Sequence, residues 1–226
     1  MCRTRNGAGV TGLMNPYVSS VSAFFPCYND ALSIGKMVRD VHLGLEGAVE
    51  DFEVIVVNDG SSDNSLEVLH ELATEFPRLR IVDHEVNRGY GGALLSGFSA
   101  STKQWVFYTD GDAQYDAAEI VRCIAAVRAD TDVVQGFKIG RGDPWHRKVI
   151  GRAYHHLVKL LFRLRVRDTD CDFRLIRQTV IEKVCLRSTT GERTHGKSQF
   201  FRLPAIGRSA VQLLQLWWRL MIRRDS

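Results

Sequence analysis

The stretch Phe52–Asp63, FEVIVVNDGSSD, decides the fold class of this 226-residue chain. Its first half, Phe52–Val57, is a short apolar run of the kind that forms a strand buried on both faces of a sheet. Its second half is polar, and Asp63 stands where a helix would be capped, ahead of leucines at three-residue spacing (Leu66, Leu69 and Leu72). The stretch therefore predicts a buried strand that leads through a turn into a helix.

The same alternation continues on both sides of this stretch. Further runs of strand length are predicted at Val21–Phe25, Leu79–Val82, Trp105–Thr109 and Asp132–Phe137, with helical patterns near residues 31–44, 64–76, 90–101 and 116–129. Strands that alternate with helices predict an α/β fold, a single Rossmann-like domain around a mostly parallel sheet. Residues 1–17 are predicted to form a loose leader.

The composition is that of an ordinary globular protein. Hydrophobic residues make up 45% of the chain and charged residues 25%, which excludes global disorder. Five cysteines without a C-x-x-C pair argue against a disulfide framework and a cysteine zinc site, so a reducing compartment is the simpler interpretation. The histidines show no metal-binding spacing such as H-E-x-x-H.

Charge is distributed unevenly along the chain. Residues 1–134 carry 10 Lys/Arg against 19 Asp/Glu, a net −9, whereas residues 135–226 carry 20 against 7, a net +13. Carboxylates in the acidic part can hold a metal ion, and the basic part can bind phosphates or an anionic surface. Within one domain, we therefore predict a ligand-binding half at 18–140 and a basic half at 141–226.

Polar residues follow three of the predicted strands, in the segments Pro26–Asp30, Asn58–Asp63 and Asp110–Gln114. Ligands of open α/β sheets bind beyond the carboxyl ends of the strands, so these segments are predicted to meet in one site. Asp59 can accept hydrogen bonds from a nucleobase or ribose there. The alternative for this segment is a simple strand-to-helix turn.

Asp110-x-Asp112 is the central motif of that predicted site. Two carboxylates separated by one small residue at a strand end can reach a common hard cation, and Gln114 adds a third oxygen ligand. Such a cation would bridge two phosphates of a nucleotide and stabilise charge on a departing diphosphate. The alternative is a turn rich in Asp and Gly, because aspartate is common in loops.

Two glycine-rich segments match nucleotide-binding motifs only superficially. Asn87–Ala93 has the wrong spacing and position for a dinucleotide fingerprint, so its glycines are interpreted as allowing backbone to approach a ligand or a neighbouring loop. Gly191–Ser198 formally matches the phosphate loop G-x-x-x-x-G-K-[ST], but it does not join a buried strand to a helix.

Two basic amphipathic segments lie in the second half, at Val149–Leu164 and Ser209–Arg224. Paired tryptophans with flanking arginines in the second segment suit a helix in a membrane interface, and docking on the domain core is equally open. No apolar run approaches the ~20 residues that span a bilayer, and no signal-peptide core is found. The chain is therefore expected to be cytoplasmic, peripheral on the inner face of the membrane.

Four motifs occur in a fixed order: FPCYND at 25–30, VVNDGSSD at 56–63, NRGYGGAL at 87–94 and TDGDAQYD at 109–116. Together they resemble glycosyltransferase family 2 enzymes with the A-type nucleotide-sugar fold. The stretch at 141–177, RGDPWHRKVIGRAYHHLVKLLFRLRVRDTDCDFRLIR, is similar to the polyprenyl-phosphate branch, the dolichol-phosphate mannose (or glucose) synthase-like enzymes. One departure is an apparent internal deletion near Gly191–Arg193, where a helix and a strand of that branch are missing.

The resemblance implies a set of site residues. Asp110 and Asp112, with Gln114, would hold Mg²⁺ or Mn²⁺ on the donor diphosphate. The nucleotide sugar would be bound by residues of the same motifs: Pro26, Tyr28, Asp30 (usually Glu in the family), Asp59, Gly60, Asn87, Gly91 and Asp110. The basic half would supply Arg141, Arg147 and Arg152 for phosphates of the donor or acceptor.

The implied activity is transfer of a hexose from a nucleotide diphosphate sugar to a polyprenyl phosphate at a membrane surface, with inversion. No nucleic acid and no specific protein partner is expected. An ionised phosphate acceptor needs no strong base, whereas a hydroxyl acceptor does, and Asp170 and Asp172 are then the candidates, unless they only pair with nearby arginines. Two alternatives stay open: a soluble hydroxyl acceptor, and a truncated, catalytically silent nucleotide-sugar-binding remnant.

Overall fold

Each strand that the sequence predicts is found in the structure, a computed structural model that describes residues 14–110, 116–137 and 171–188. The strands are β1 (Ser20–Cys27), β2 (Asp51–Asn58), β3 (Leu79–Asp83), β4 (Trp105–Tyr108), β5 (Val133–Gln135) and β6 (Arg174–Arg177). The helices are α1 (Ala31–Leu45), α2 (Ser65–Glu75), α3 (Gly89–Ala100), α4 (Ile120–Ala126), which follows a 3₁₀ turn at Ala117–Glu119, and α5 (Gln178–Ser188).

One mixed sheet carries the described part of the chain, with strand order β3-β2-β1-β4-β6-β5. The pairs β1/β2, β2/β3 and β1/β4 are parallel, which confirms the mostly parallel α/β fold. An additional strand, β6, is not predicted from the sequence; it inserts between β4 and β5 and runs antiparallel to both. Its sequence, RLIR, is too short and too charged at its ends to form a recognisable apolar run.

Both faces of the sheet are covered, as the apolar run in β2 predicts. Alternate residues point to opposite faces: Val54 and Val56 pack with α1, α2 and α4, whereas Ile55 and Val57 pack on the face that carries α3 and α5. The second face is closely packed, since a Cβ at Gly97 of α3 would lie 2.3 Å from the ring of Phe24. Glycine at this position therefore lets α3 lie directly on β1.

The strand order reverses between β1 and β4, and this places the site. From β1 the chain builds outward to β2 and β3, then returns to place β4 on the other side of β1. Pairing of β1 with β4 ends at Phe24–Tyr108, while pairing with β2 continues to Cys27–Asn58. Pro26, which has no N–H, thus lies beyond the end of β4, where the two carboxyl ends separate. Such a switch point is where α/β sheets bind ligands.

Several predictions concern residues outside the described ranges, and they stay predictions. They are those for Asp112, Gln114, Arg141, Arg147, Arg152 and Asp170, for the amphipathic segments Val149–Leu164 and Ser209–Arg224, and for the junction Gly191–Arg193. The second half of the chain nevertheless contributes β6 to the same sheet and α5 to one of its faces. Within the described residues, no helix has the length and apolar character needed to cross a bilayer.

Candidate active site

The loops that follow β1 and β2 are held together by Asn29. Its backbone has φ 58°, a left-handed conformation that asparagine tolerates better than most residues. Its Oδ1 accepts from the backbone N–H of Ser62 at 2.8 Å and of Asp63 at 3.3 Å, and its own N–H donates to Ser61 Oγ at 3.0 Å. These contacts bring two of the three predicted polar segments together.

Two aspartates of these loops serve the backbone. Asp63 Oδ1 accepts from Ser65 N at the start of α2, and Oδ2 accepts from Ala31 N at the start of α1. The N-cap residue of α2 is Asn64, one residue after the predicted cap Asp63. The hydrogen bonds from Ser65 hold the pKa of Asp63 below its usual range, ahead of the smaller opposing effect of desolvation. Asp30 is the N-cap residue of α1, and its Oδ2 accepts from Tyr28 N at 3.2 Å.

The predicted nucleotide-binding residues at this end differ in exposure. Pro26 is buried within β1, whereas Tyr28 is 50% exposed at the mouth of the loop. Gly60 has φ 66°, and a Cβ there would lie 2.6 Å from Asn87 N, so only glycine lets the loops after β2 and β3 touch. Gly91 is exposed and open, since a Cβ at that position would meet nothing within 4 Å.

Asp59 is buried at the end of β2, with 3% of its surface exposed. Its Oδ1 accepts from Arg88 N at 2.8 Å and lies 2.7 Å from Nδ1 of His84. His84 is itself 3% exposed, and its Nε2 lies 2.8 Å from the Ser96 hydroxyl of α3. Neither His84 nor Ser96 is predicted from the sequence as a site residue, because no residue spacing signals their contact.

A second group of polar side chains lies at the end of β4. Tyr90, the aromatic residue of the NRGYGG motif, donates its hydroxyl hydrogen to Asp110 Oδ1 at 2.7 Å. Because β6 is antiparallel to β4, the residues just before it, including Asp172, come to the carboxyl end of β4. Arg174 begins β6 opposite Tyr108 and donates from Nη1 to the Tyr108 hydroxyl at 2.8 Å. We call Tyr90, Tyr108, Asp110, Asp172 and Arg174 the acidic corner.

Burial and neighbouring charges both shift the pKa values of the two tyrosines in the acidic corner. Desolvation, the hydrogen bond to Asp110 and the charges of Asp110 and Asp172 all raise the pKa of Tyr90. Desolvation also raises the pKa of Tyr108 to about 12, against the lowering effect of the Arg174 charge, and the charges of the same two carboxylates raise it further by smaller amounts. Asp110 and Asp172 therefore act on the same two hydroxyl groups.

The acidic corner fits a hard divalent cation. Carboxylate oxygens are the ligands that Mg²⁺ and Mn²⁺ prefer, and Asp110 is only half-buried at the strand end. The buried hydroxyl of Thr109, directly before Asp110, has no hydrogen-bond partner within the described part of the chain. No three metal-ligating side chains cluster among the described residues, and Asp112 and Gln114 lie outside them.

An α/β sheet whose strand order reverses at β1, with acidic and polar loops at that point, has the architecture of the doubly wound class, in which ligands bind at the switch point. The family model for glycosyl transferase family 2 matches residues 22–185. The chain therefore belongs to glycosyl transferase family 2.

Solved structures share this fold at low sequence identity. Mannosyltransferase PcManGT from Pyrobaculum calidifontis, in complex with GDP-Man and Mn²⁺, has a TM-score of 0.57 and 18% identity, over 76% of this chain and 48% of its own. Glucosyl-3-phosphoglycerate synthase from Mycobacterium tuberculosis, in complex with Mn²⁺, UDP and phosphoglyceric acid, has a TM-score of 0.61 and 18% identity, over 88% of this chain and 78% of its own. The structure of S. aureus TarS 1–349 has a TM-score of 0.52 and 20% identity, over 73% of this chain and 49% of its own.

The chain spans about half the length of PcManGT and of the TarS structure. These neighbours share the mixed α/β fold of this chain. The family assignment and the fold thus agree with the resemblance in the four motifs.

Proposed function

We propose that this chain transfers a hexose from a nucleotide diphosphate sugar to a polyprenyl phosphate at a membrane surface. The observation that carries the proposal is the arrangement at the carboxyl edge of the sheet. The buried Asp59 follows β2 and Asp110 follows β4. Helix α3 reaches Asp110 directly through Tyr90, and it reaches Asp59 through His84, to which Ser96 is hydrogen-bonded. A donor with a nucleoside at one end and a diphosphate at the other matches such a site.

The nucleoside end of the donor is assigned to the loops after β1 and β2. Asp59 accepts hydrogen bonds from the base or ribose, and the half-exposed ring of Tyr28 offers an apolar face for stacking. Pro26, Asp30, Gly60, Asn87 and Gly91 are assigned to shaping this pocket. Asp30 and Gly60 support it through the backbone contacts described above.

The diphosphate end is assigned to the acidic corner, where Asp110, with Asp112 and Gln114, would hold Mg²⁺ or Mn²⁺. Such an ion supplies positive charge that stabilises the leaving diphosphate. Tyr90 contributes by orienting the Asp110 carboxylate through its 2.7 Å hydrogen bond. PcManGT and glucosyl-3-phosphoglycerate synthase both have structures with Mn²⁺, which is consistent with this assignment.

The acceptor is assigned from the second half of the chain. Residues 135–226 carry a net charge of +13, and Arg141, Arg147 and Arg152 are proposed to bind phosphate groups. A phosphate oxygen of the acceptor attacks the anomeric carbon opposite the leaving group. The bond from that carbon to the diphosphate oxygen breaks, and the nucleoside diphosphate leaves with the electron pair, so the configuration is inverted.

A hydroxyl acceptor is the second candidate, and the position of Asp172 favours it. Asp172 is half-buried in the acidic corner and acts on both tyrosines there. A carboxylate at this place can take the proton that a hydroxyl nucleophile must lose. Asp170, its neighbour in the sequence, would be the alternative base.

Nucleoside diphosphate release is the experiment that tests the proposal. The chain is given Mn²⁺, a panel of GDP- and UDP-sugars, and either a polyprenyl phosphate in detergent or soluble hydroxyl acceptors. We expect release that requires the lipid phosphate. Release that requires a hydroxyl acceptor would replace the first candidate with the second, and nucleotide binding without any release would identify a catalytically silent remnant.

Membrane attachment is tested separately, by sedimentation with liposomes. A peripheral protein with a basic half is expected to sediment with anionic vesicles and to be released by salt, since salt screens the attraction. A variant with Arg219, Arg223 and Arg224 changed to glutamine should sediment less. No sedimentation with anionic vesicles would contradict a location on the inner face of the membrane.

A further inference from the structure

We propose that His84 is a positioning residue of the donor site, which holds the Asp59 carboxylate in the orientation that receives the nucleoside. The inference rests on the proposed function, and it adds a residue that lies outside the four motifs that resemble the family. It follows from a continuous hydrogen-bonded chain, Asp59–His84–Ser96, which links the end of β2 to the middle of α3.

The His84 ring is fixed at both nitrogens and at its backbone. Nδ1 lies 2.7 Å from Asp59 Oδ1, Nε2 lies 2.8 Å from Ser96 Oγ, and the backbone N–H donates to Asn58 O at 2.9 Å. A carboxylate only accepts hydrogen bonds, so Nδ1 carries the hydrogen in this pair, and in the neutral ring Nε2 accepts from the serine hydroxyl. Only 3% of His84 is exposed, so solvent contributes little to its hydrogen bonding.

The contacts of Asp59 leave one of its carboxylate oxygens for the donor. Within the described part of the chain, its hydrogen bonds from His84 and from Arg88 N both go to Oδ1. Two donors on one oxygen set the plane of the carboxylate and direct Oδ2 away from them. A buried acceptor that is oriented in advance gains affinity, because little freedom is lost when the ligand binds.

Helix α3 gives this positioning a further consequence, since it also carries Tyr90. The hydroxyl groups of Ser96 and Tyr90 reach His84 and Asp110 respectively. Helix α3 is therefore connected by hydrogen bonds both to Asp59, through His84, and to Asp110 of the acidic corner. The close contact of Gly97 with Phe24 keeps this helix against the sheet. His84 thus connects Asp59, which would recognise the nucleoside, to the helix whose Tyr90 orients Asp110 at the diphosphate end of the site.

The order of bonds, carboxylate to imidazole to serine, is also that of a serine hydrolase triad, but Ser96 does not fit a nucleophile. It lies within α3, where backbone N–H groups are used by the helix and cannot form an oxyanion hole. A nucleophile needs such donors beside it. The hydrogen bonds from Asp59 through His84 to Ser96 therefore position the Asp59 carboxylate and do not support acyl transfer.

Affinity measurements on three variants test the proposal. His84→Ala removes both bonds, His84→Asn keeps a donor near Asp59, and Ser96→Ala removes only the bond from α3. UDP and GDP are titrated in the presence of Mn²⁺, and two controls, Mn²⁺ alone and Mn²⁺ with pyrophosphate, report on the diphosphate end. Thermal unfolding is measured for every variant.

We expect His84→Ala to weaken nucleoside diphosphate binding about tenfold, His84→Asn to recover most of that loss, and Ser96→Ala to cost about threefold. Pyrophosphate and Mn²⁺ affinities should stay at the wild-type values, which a general loss of structure would not allow. Equal losses for nucleotide and pyrophosphate, or wild-type nucleotide affinity in His84→Ala, would overturn the proposal. If His84→Ala does not fold, wild-type affinity in Ser96→Ala overturns it.

Failure of the proposed function gives a different result. A wild-type chain that binds neither UDP nor GDP would overturn the donor assignment itself, and the role of His84 with it. A wild-type chain that binds nucleotide and is insensitive to the three substitutions would leave the donor assignment intact and remove only the role of His84.

Discussion

The sheet buries one carboxylate at its amino edge, where the parallel strands begin, and one at its carboxyl edge, where they end. The two carboxylates differ in the hydrogen-bond donors that surround them. Glu53, near the start of β2, is 6% exposed, and Asp59, just after the end of β2, is 3% exposed. Glu53 Oε1 accepts from Ser22 Oγ at 2.7 Å and from Thr102 N and Oγ1 at 2.8 Å, while Oε2 accepts from Arg80 at 2.5 Å. Both oxygens of Glu53 therefore have protein donors, whereas the donors to Asp59 that we describe reach Oδ1 alone.

The difference separates a structural carboxylate from one that is available to a ligand. A buried charge is stable only when it is paired and hydrogen-bonded, and Glu53 meets that condition within the protein. Asp59 meets it on one oxygen, so donors supplied by a ligand would complete its shell. Burial alone does not distinguish the two groups, but the distribution of donors over the two oxygens does.

The largest expected effect belongs to Asp110 in the acidic corner. Asp110→Ala should lower the rate of nucleoside diphosphate release at least ~100-fold, since a group that stabilises leaving-group charge is lost. Stability should change little, because Asp110 is half-buried at the end of the strand. Asp130→Ala, at an exposed aspartate, is the matched control and should keep the wild-type rate. An active Asp110→Ala variant would remove Asp110 from the metal site.

At the other edge, Glu53→Gln should cost stability and leave binding unchanged. The amide presents N–H groups to donors that need an acceptor, so the free energy of unfolding in urea should fall by about 2–3 kcal/mol. Nucleoside diphosphate affinity should remain within about twofold of wild type, because Glu53 lies at the opposite edge of the sheet. A loss of binding free energy larger than the loss in the free energy of unfolding would contradict the assignment of Glu53 to stability and of Asp59 to binding.

Asp59→Asn is the corresponding change of a carboxylate to an amide at the carboxyl edge. Its side-chain oxygen can still accept from Arg88 N, but the nitrogen that replaces the other oxygen cannot accept from a base or ribose. Nucleoside diphosphate affinity should fall about tenfold, and the loss of stability should be smaller than that of Glu53→Gln. Titration calorimetry with chemical denaturation of both variants makes the comparison. Unchanged affinity would contradict the role of Asp59.

Acid stability gives a third way to distinguish the edges. Burial raises the pKa of Glu53, but hydrogen bonds from Ser22, Arg80 and Thr102 outweigh it and hold the pKa below the usual range. A lowered pKa means stability that is present above the pKa of the unfolded chain, about 4.3, and lost as pH falls through the folded value. Wild-type stability should therefore fall more steeply than that of Glu53→Gln between about pH 5 and 3. Parallel curves would contradict this.

The smallest expected effect is that of Thr102→Val. This change removes one of the donors to Glu53 Oε1 and keeps the backbone N–H of Thr102 in place. The free energy of unfolding should fall by about 1 kcal/mol, less than half the effect of Glu53→Gln. A loss as large as that of Glu53→Gln would show that the hydroxyl does more than supply one hydrogen bond.

Much of the fold could be predicted because it depends on local patterns. The apolar run Phe52–Val57 is buried on both faces, and each of the four helical patterns contains a helix. The hydrogen bond from Ser65 N to Asp63 at the start of α2 is also local, since the two residues are two positions apart. Hydrophobic periodicity and turn chemistry are properties of a short window, so a single sequence reveals them.

What the sequence by itself determined is the parallel α/β scaffold, the polar segments at its carboxyl edge and the family to which their motifs point. Tertiary structure decided the insertion of β6 beside β4, which brings Asp172 and Arg174 to Tyr108, 66 residues away from Arg174. It also decided that His84 contacts Asp59 across 25 residues and that Tyr90 contacts Asp110 across 20. The reason is physical: such contacts depend on how strands are ordered and helices are seated, and no periodicity within a segment encodes that order.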